Sequence, residues 1–122
     1  MYSARLLDHF EHPRHSGELP DADVRVQRNN PICGDVLEFS ARISNGQIKE
    51  IRFLAKGCVP TIACASALCS LIQGKDLDVA AAHTRDLLIS ELDGIPPASE
   101  HALQLALETL RQMLASYRTL QV

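Results

Sequence analysis

Two stretches in the first half of the chain alternate apolar and polar residues with the period of a β-strand. From Val36 to Ile43 every second residue is apolar, and a returning strand from Ile48 to Ala55 has Ile51, Phe53 and Ala55 on its inward face. Between them, Ser44-Asn45-Gly46 has the residue types of a tight hairpin turn. A shorter alternation from Val24 to Gln27 adds a third strand. The pattern therefore predicts three antiparallel strands, each with one buried face.

The other apolar residues recur at helical spacing. A first helix is predicted from Tyr2 to Phe10, and two short ones from Leu77 to Ala82 and from Thr84 to Leu92. After Cys58, a helix that ends at Gly74 is predicted to have an inner face of Ile62, Ala65, Cys69 and Ile72. A long last helix, from about Ser99 to Arg118, carries one apolar stripe formed by Leu103, Ala106, Leu107, Leu110, Met113, Leu114 and Tyr117.

These elements predict an α+β fold, in which a small three-stranded antiparallel sheet has helices packed on one face and the long C-terminal helix lies across it. The chain of 122 residues is long enough for one hydrophobic core and shows no internal repeat or linker. We therefore expect residues 1–122 to form a single domain.

Composition narrows the classes of function. The net charge of -3, with 22% charged residues, gives no electrostatic basis for binding nucleic acid. No apolar stretch approaches the roughly 20 residues of a membrane span, and the first residues lack the apolar segment of a signal peptide. We therefore expect a cytoplasmic protein without a membrane or nucleic-acid partner, whose four cysteines are reduced.

Four residues with metal-binding side chains lie at the ends of predicted elements. Cys33 and Asp35 flank a glycine just before a strand, Cys58 immediately precedes a helix, and His101 lies near the start of the last helix. A thiol at a helix start has its thiolate stabilised by unpaired backbone N–H groups and the helix dipole. Two thiols, a carboxylate and an imidazole form a suitable ligand set for zinc or for iron.

The chain resembles the iron-sulfur cluster assembly scaffolds of the IscU and NifU N-terminal type. The resemblance covers nearly the whole length, in ordered motifs at matching spacings: Asp8-His9-Phe10-Glu11-His12-Pro13-Arg14, Asn30-Pro31-Ile32-Cys33-Gly34-Asp35, Gly57-Cys58-Val59-Pro60-Thr61-Ile62-Ala63-Cys64-Ala65-Ser66, Gly74-Lys75, and Pro96-Pro97 leading to His101. The segment from Gly74 to Pro97 lacks the insertion typical of the zinc-bearing SufU branch, so its length is nearer that found in the IscU branch. Asn30-Pro31 is common in the wider family.

The resemblance implies a scaffold-like protein that binds a metal ion, iron or a [2Fe-2S] cluster, and hands it over without turnover chemistry. It implies Cys33, Asp35, Cys58 and His101 as ligands, with the Asp associated with cluster lability. The family's third cysteine, which binds clusters and receives sulfur, is replaced by Ala102. Implied partners are a cysteine desulfurase and acceptor apoproteins, and the sequence leaves open whether a homo-oligomer shares a cluster between its copies. The chain has Ala98-Ser99 where the IscU branch has Val-Lys after its Pro pair, and the lost charge argues against docking of an Hsp70 chaperone.

Two other functions compete with the scaffold interpretation. The chain could be a regulatory or assembly-partner protein that keeps the scaffold's docking surface and binds zinc in a degenerate site. It could also be a sulfur acceptor with a persulfide on Cys33 or Cys58, although the sequence shows no general base paired with either thiol.

The remaining thiols and imidazoles are assigned structural or solvated roles. We expect Cys69 in the core, and Cys64 between the apolar stripe and solvent. The histidines outside the candidate site are expected on the surface: His9, His12, His15 and His83.

Overall fold

The chain is seen in a computed structural model that describes residues 1–32, 34–82 and 84–121. Its elements follow the predicted order, with boundaries that differ from the prediction by a few residues. They are α1 (Ala4–Glu11), β1 (Val24–Asn29), β2 (Val36–Ser44), β3 (Gln47–Lys56), α2 (Val59–Ile72), α3 (Leu77–Ala81), α4 (Thr84–Glu91), a 3₁₀ turn (Pro97–Ser99) and α5 (Glu100–Leu120).

The three strands form an antiparallel sheet in the order β1-β2-β3. Val26 lies opposite Phe39, and Phe39 lies opposite Phe53, so the buried faces of the three strands coincide. The β2–β3 hairpin turns at Asn45 and Gly46, whose φ angles of 55° and 73° are those a two-residue turn requires. The predicted sheet and its hairpin are confirmed.

The last helix covers the sheet, as predicted. α5 packs against β1 and β2, and α2 lies beside it against β3. The stripe on α5 is confirmed, because the following residues are buried: Leu103, Ala106, Leu107, Leu110, Met113 and Leu114. The α+β architecture, with helices on one face of a small antiparallel sheet, is therefore confirmed. Within the described residues, no helix is both long and apolar enough to cross a membrane.

The prediction that α2 has a single inner face was wrong. Ile62, assigned to that face, is only half-buried, whereas Ala63, Ser66 and Ala67 on other sides of the helix are fully buried. α2 contacts β3, α5, α1 and α4, so its neighbours enclose it. A helix surrounded in this way exposes little surface to solvent, and its many Ala, Ser and Cys residues are small enough to let the neighbouring elements approach closely.

The two cysteines inside α2 are both in the core. The burial predicted for Cys69 is confirmed, whereas Cys64, expected between the stripe and solvent, is also completely buried. Desolvation raises the pKa of Cys64 to about 12 and raises the pKa of Cys69 as well. Neither thiol therefore offers a thiolate at neutral pH.

The surface position predicted for His9 was also wrong. Its ring is buried, with Nδ1 2.8 Å from Ser66 Oγ and Nε2 3.0 Å from Glu91 Oε2. These contacts tie α1 to α2 and α4, so His9 belongs to the polar framework of the fold. His12 is exposed, as expected, and His83 lies outside the described residues.

Candidate metal centre

The β1–β2 connection brings Asp35 to one end of the sheet. The Asn30 N–H donates to the Asp35 carbonyl at 2.8 Å, and the Gly34 N–H donates to the Asn30 carbonyl at 2.7 Å. Gly34 has a φ of 74°, a left-handed conformation that glycine adopts without steric cost. The loop therefore folds back on itself and delivers Asp35 immediately before β2. Cys33, the residue before Gly34 in the sequence, lies outside the described residues.

Strand pairing brings the second segment of the site to the same end. Val36 pairs with Lys56, so Asp35 and Gly57 are the next residues outward on neighbouring strands. A Cβ atom on Gly57 would lie 2.3 Å from Asp35 Oδ1, far inside van der Waals contact. Glycine at this position is thus required for the Asp35 carboxylate to lie against the backbone. The chain then continues into Cys58, the N-cap residue of α2.

The third segment is the start of α5. His101 is its second residue and follows the 3₁₀ turn Pro97–Ser99. Because α5 packs against the sheet and α2, its first turn lies near the end of the sheet where Asp35 and Cys58 meet. His101 is half-buried and also lines a surface cleft of about 310 Å³ beside residues 28–32. One side of the site therefore opens to solvent.

These three segments bring a sulfur, a nitrogen and an oxygen together. Cys58 Sγ lies 3.5 Å from Asp35 Oδ2 and 3.5 Å from His101 Nε2. His101 Nε2 lies 3.8 Å from Asp35 Oδ2. Around a tetrahedral ion with bonds of about 2.0 to 2.3 Å, neighbouring ligand atoms lie about 3.3 to 3.8 Å apart. The three atoms thus have the mutual distances of three corners of a metal tetrahedron.

The carboxylate of Asp35 is only 3% exposed and is held by donors from the first turn of α2. The Thr61 hydroxyl donates to Oδ2 at 2.8 Å, and the Cys58 N–H donates to Oδ1 at 3.3 Å. The positive end of the α2 dipole also favours a carboxylate here. Sequence reasoning missed Thr61. Its spacing of three residues from Cys58, one helical turn, is the only signal that could have suggested it.

The position of the family's third cysteine is in the core. Ala102 is 1% exposed and belongs to the apolar cluster beneath α5, although its neighbour His101 faces the site. Burial would therefore disfavour the thiolate of a cysteine at this position, although the start of a helix would favour it.

The structure places an imidazole, which the sequence analysis assigned as a ligand, directly beside the Cys58 thiol. The absence of a general base beside Cys58 was inferred from the sequence, yet the His101 imidazole is 3.5 Å from its sulfur. The two residues are 43 positions apart, so their pairing depends on the packing of α5 against the sheet and α2.

Comparison with known proteins identifies the class to which this fold and site belong. A family model described as the NifU-like N terminal domain matches residues 1–122. The chain belongs to this family, and the resemblance noted in its sequence is confirmed.

Its relatives include proteins named iron-sulfur cluster assembly scaffold protein IscU. The Aquifex aeolicus protein is 37% identical over 118 residues, which are 95% of this chain and 75% of the relative. The Escherichia coli K12 protein is 32% identical over 122 residues, covering 97% and 94% of the two chains. IscU 1 of Archaeoglobus fulgidus is 34% identical over 117 residues, which are 96% of this chain and 76% of the relative.

Solved structures support the fold. A putative iron-sulfur cluster assembly scaffold protein for the SUF system from Fervidobacterium islandicum superposes with a TM-score of 0.77 at 18% identity, covering 93% of this chain and 96% of that one. The N-terminal part of a nitrogen-fixing NifU-like protein from Brucella abortus superposes with a TM-score of 0.62 at 20% identity, covering 94% of this chain and 81% of that one. At these identities the likeness concerns the fold alone.

The contact between Gly57 and Asp35 generates the first testable prediction. In Gly57→Ala the new methyl group must displace the Asp35 carboxylate, so we expect overpacking to lower the free energy of unfolding by about 1–3 kcal/mol. We also expect weaker retention of Zn²⁺, because Asp35 loses its orientation. Thermal unfolding of the metal-free protein and chelator competition with the zinc-loaded protein measure the two effects.

Gly74→Ala is the matched control for Gly57→Ala. Gly74 has a φ of 84°, and its Cβ would meet no atom within 4 Å, so alanine there strains only the backbone. It should lower stability and leave zinc retention unchanged. Equal zinc retention in Gly57→Ala and the parent protein would show that this close approach does not matter to the site.

Proposed function

We propose that this chain is a cytoplasmic iron-sulfur cluster assembly scaffold that holds iron or a [2Fe-2S] cluster and passes it to acceptor apoproteins. One observation carries the proposal: Asp35, Cys58 and His101, from three separate segments, have ligand atoms 3.5 to 3.8 Å apart in a member of the NifU-like family. Relatives named as IscU scaffolds match almost the entire chain.

The proposed ligands are Cys33, Asp35, Cys58 and His101. Thiolate sulfur suits iron-sulfur chemistry, and imidazole also replaces cysteine at iron in some clusters. The site fits this cargo because the described donors, Asp35, Cys58 and His101, share one end of the sheet, and Cys58 and His101 are partly accessible. Cys33 is assigned by its motif alone, as the second thiol.

A mixed ligand set suits a protein that must release its cargo. Stable [2Fe-2S] and [4Fe-4S] clusters are commonly held by four thiolates, whereas this set has two. Thr61 and the Cys58 N–H both donate to Asp35, so its buried carboxylate has hydrogen-bond partners whether or not it holds the cargo. We infer a function in holding and transferring the cargo, without turnover of a substrate.

The partners follow from the same chemistry. A cluster contains sulfide, so a cysteine desulfurase is the proposed source of sulfur, and the apoproteins that receive clusters are the proposed acceptors. We propose no Hsp70 partner, because the Pro96-Pro97 segment continues as Ala98-Ser99 without a lysine charge.

Anaerobic reconstitution tests the proposed function. With ferrous iron, sulfide and a thiol reductant, the parent protein should retain iron together with acid-labile sulfide. Cys58→Ser should lose most of both, because a hydroxyl is a poor replacement for a thiolate ligand. Elemental analysis and visible absorption after gel filtration provide the measurement.

Cys69→Ser is the control for this experiment, since it changes a buried thiol of the same helix outside the site. It should load like the parent and lose at most a little stability. Retention of zinc alone, with neither iron nor sulfide, would instead support a zinc-binding assembly partner. Equal losses in both variants would contradict the assignment of Cys58.

Ala102→Cys tests whether the missing third cysteine limits this scaffold. A sulfur at this position, next to His101, should lengthen the lifetime of the reconstituted cluster and make persulfide transfer from a cysteine desulfurase detectable. The burial of Ala102 opposes thiolate formation, so the gain requires the first turn of α5 to open slightly. Cluster decay rates and persulfide labelling measure the two effects. If neither changes from the parent, the absent cysteine is not what limits the protein.

A further inference from the structure

The first turn of α2 contains a buried hydroxyl that contacts two of the candidate ligands. Thr61 Oγ1 lies 2.8 Å from Asp35 Oδ2 and 3.2 Å from Cys58 Sγ. Thr61 is 1% exposed, so water cannot readily replace its hydroxyl. Its hydroxyl therefore contacts both the carboxylate and the sulfur from the buried side of the site.

The hydroxyl fixes one particular oxygen of Asp35. Oδ2 is the carboxylate oxygen that lies 3.5 Å from Cys58 Sγ and 3.8 Å from His101 Nε2, so it is the oxygen that faces the prospective ion. Oδ1 is bound separately by the Cys58 N–H. Two donors on different oxygens hold the plane of the carboxylate, and the contact to Thr61 is the shorter of the two.

We propose that Thr61 is a positioning residue of the metal centre, whose hydroxyl orients Asp35 Oδ2 towards the ion and so sets how tightly the chain retains metal. The proposal rests on the proposed function only in requiring that Asp35 is a ligand. Threonine fits this task because its β-branched side chain has few rotamers in a helix. Its position one turn beyond Cys58 directs the hydroxyl to the end of the helix where the ligands lie.

Loss of this hydroxyl should weaken binding through Asp35. A buried carboxylate without its donor pays a desolvation penalty and turns towards other partners. Partners that orient metal ligands commonly contribute about 10- to 100-fold in metal affinity. We expect a decrease of that size when only the hydroxyl is removed.

Two pairs of proteins test the proposal, and in each pair one protein has the hydroxyl and the other lacks it. The parent and Thr61→Val have side chains of nearly equal shape, and Thr61→Ser and Thr61→Ala form a second pair without the methyl group. Co²⁺ is the probe, because its visible absorption reports both the affinity and the coordination geometry. We expect the parent and Thr61→Ser to bind Co²⁺ about 10- to 100-fold more tightly than Thr61→Val and Thr61→Ala.

The same substitutions in an Asp35→Ala background separate positioning from packing. There the hydroxyl has no carboxylate to orient, so Thr61→Val should no longer change Co²⁺ affinity. Thermal unfolding of each metal-free protein identifies variants that do not fold, and the serine–alanine pair makes the comparison if valine is not accommodated.

Several results would overturn the proposal. Equal Co²⁺ affinity in both pairs would show that the hydroxyl does not act on the metal, and the metal site itself would still stand. Equal effects with and without Asp35 would show that Thr61 acts through packing or through its contact with Cys58, and would overturn the proposed orientation of Asp35. Failure of the parent protein to bind Co²⁺ would overturn this proposal together with the proposed metal site.

Discussion

The site is built around a carboxylate removed from solvent. Asp35 is almost completely buried, and burying a charged group is costly unless hydrogen bonds compensate it. Here Thr61 and the Cys58 N–H, both at the start of α2, provide the compensation. Asp35 therefore fixes the position of the α2 N-terminus relative to β2, and Cys58 is fixed with it. Gly57 makes this arrangement possible by leaving space for the carboxylate.

The wider fold serves to bring three distant segments to one edge. The antiparallel register aligns the residue before β2 with the residue after β3. α5 crosses the same sheet, which brings His101 beside a sulfur 43 residues earlier in the chain. α2, enclosed by its neighbours, gives the helix end a rigid base. The three ligands thus lie at element ends, where Cys58 and His101 remain partly accessible and Asp35 is buried.

The sheet, the hairpin and the stripe on α5 were predictable because each has one buried and one exposed face. That condition makes hydrophobic periodicity informative. It fails for α2, most of whose small residues are buried by the surrounding elements, and so Cys64 was assigned to the wrong environment. His9 was misjudged because its partners Ser66 and Glu91 are 57 and 82 residues away. No local pattern contains that information.

The candidate ligands Asp35, Cys58 and His101 could be named from sequence because their motifs resemble those of a known family. The motifs did not reveal Thr61, whose contact to Asp35 spans 26 residues and depends on how β2 meets α2. They also did not show that Ala102 faces the core while His101 faces the site. Side-chain direction within a single helical turn is decided by packing, which a motif does not encode.

The central claim is that Cys33, Asp35, Cys58 and His101 share one ion. X-ray absorption spectroscopy at the zinc edge of the zinc-loaded protein tests it most directly. We expect two sulfur atoms at about 2.3 Å and two nitrogen or oxygen atoms at about 2.0 to 2.2 Å, with imidazole scattering that disappears in His101→Ala. A shell without sulfur, or one in which His101→Ala leaves the imidazole signal unchanged, would contradict the account.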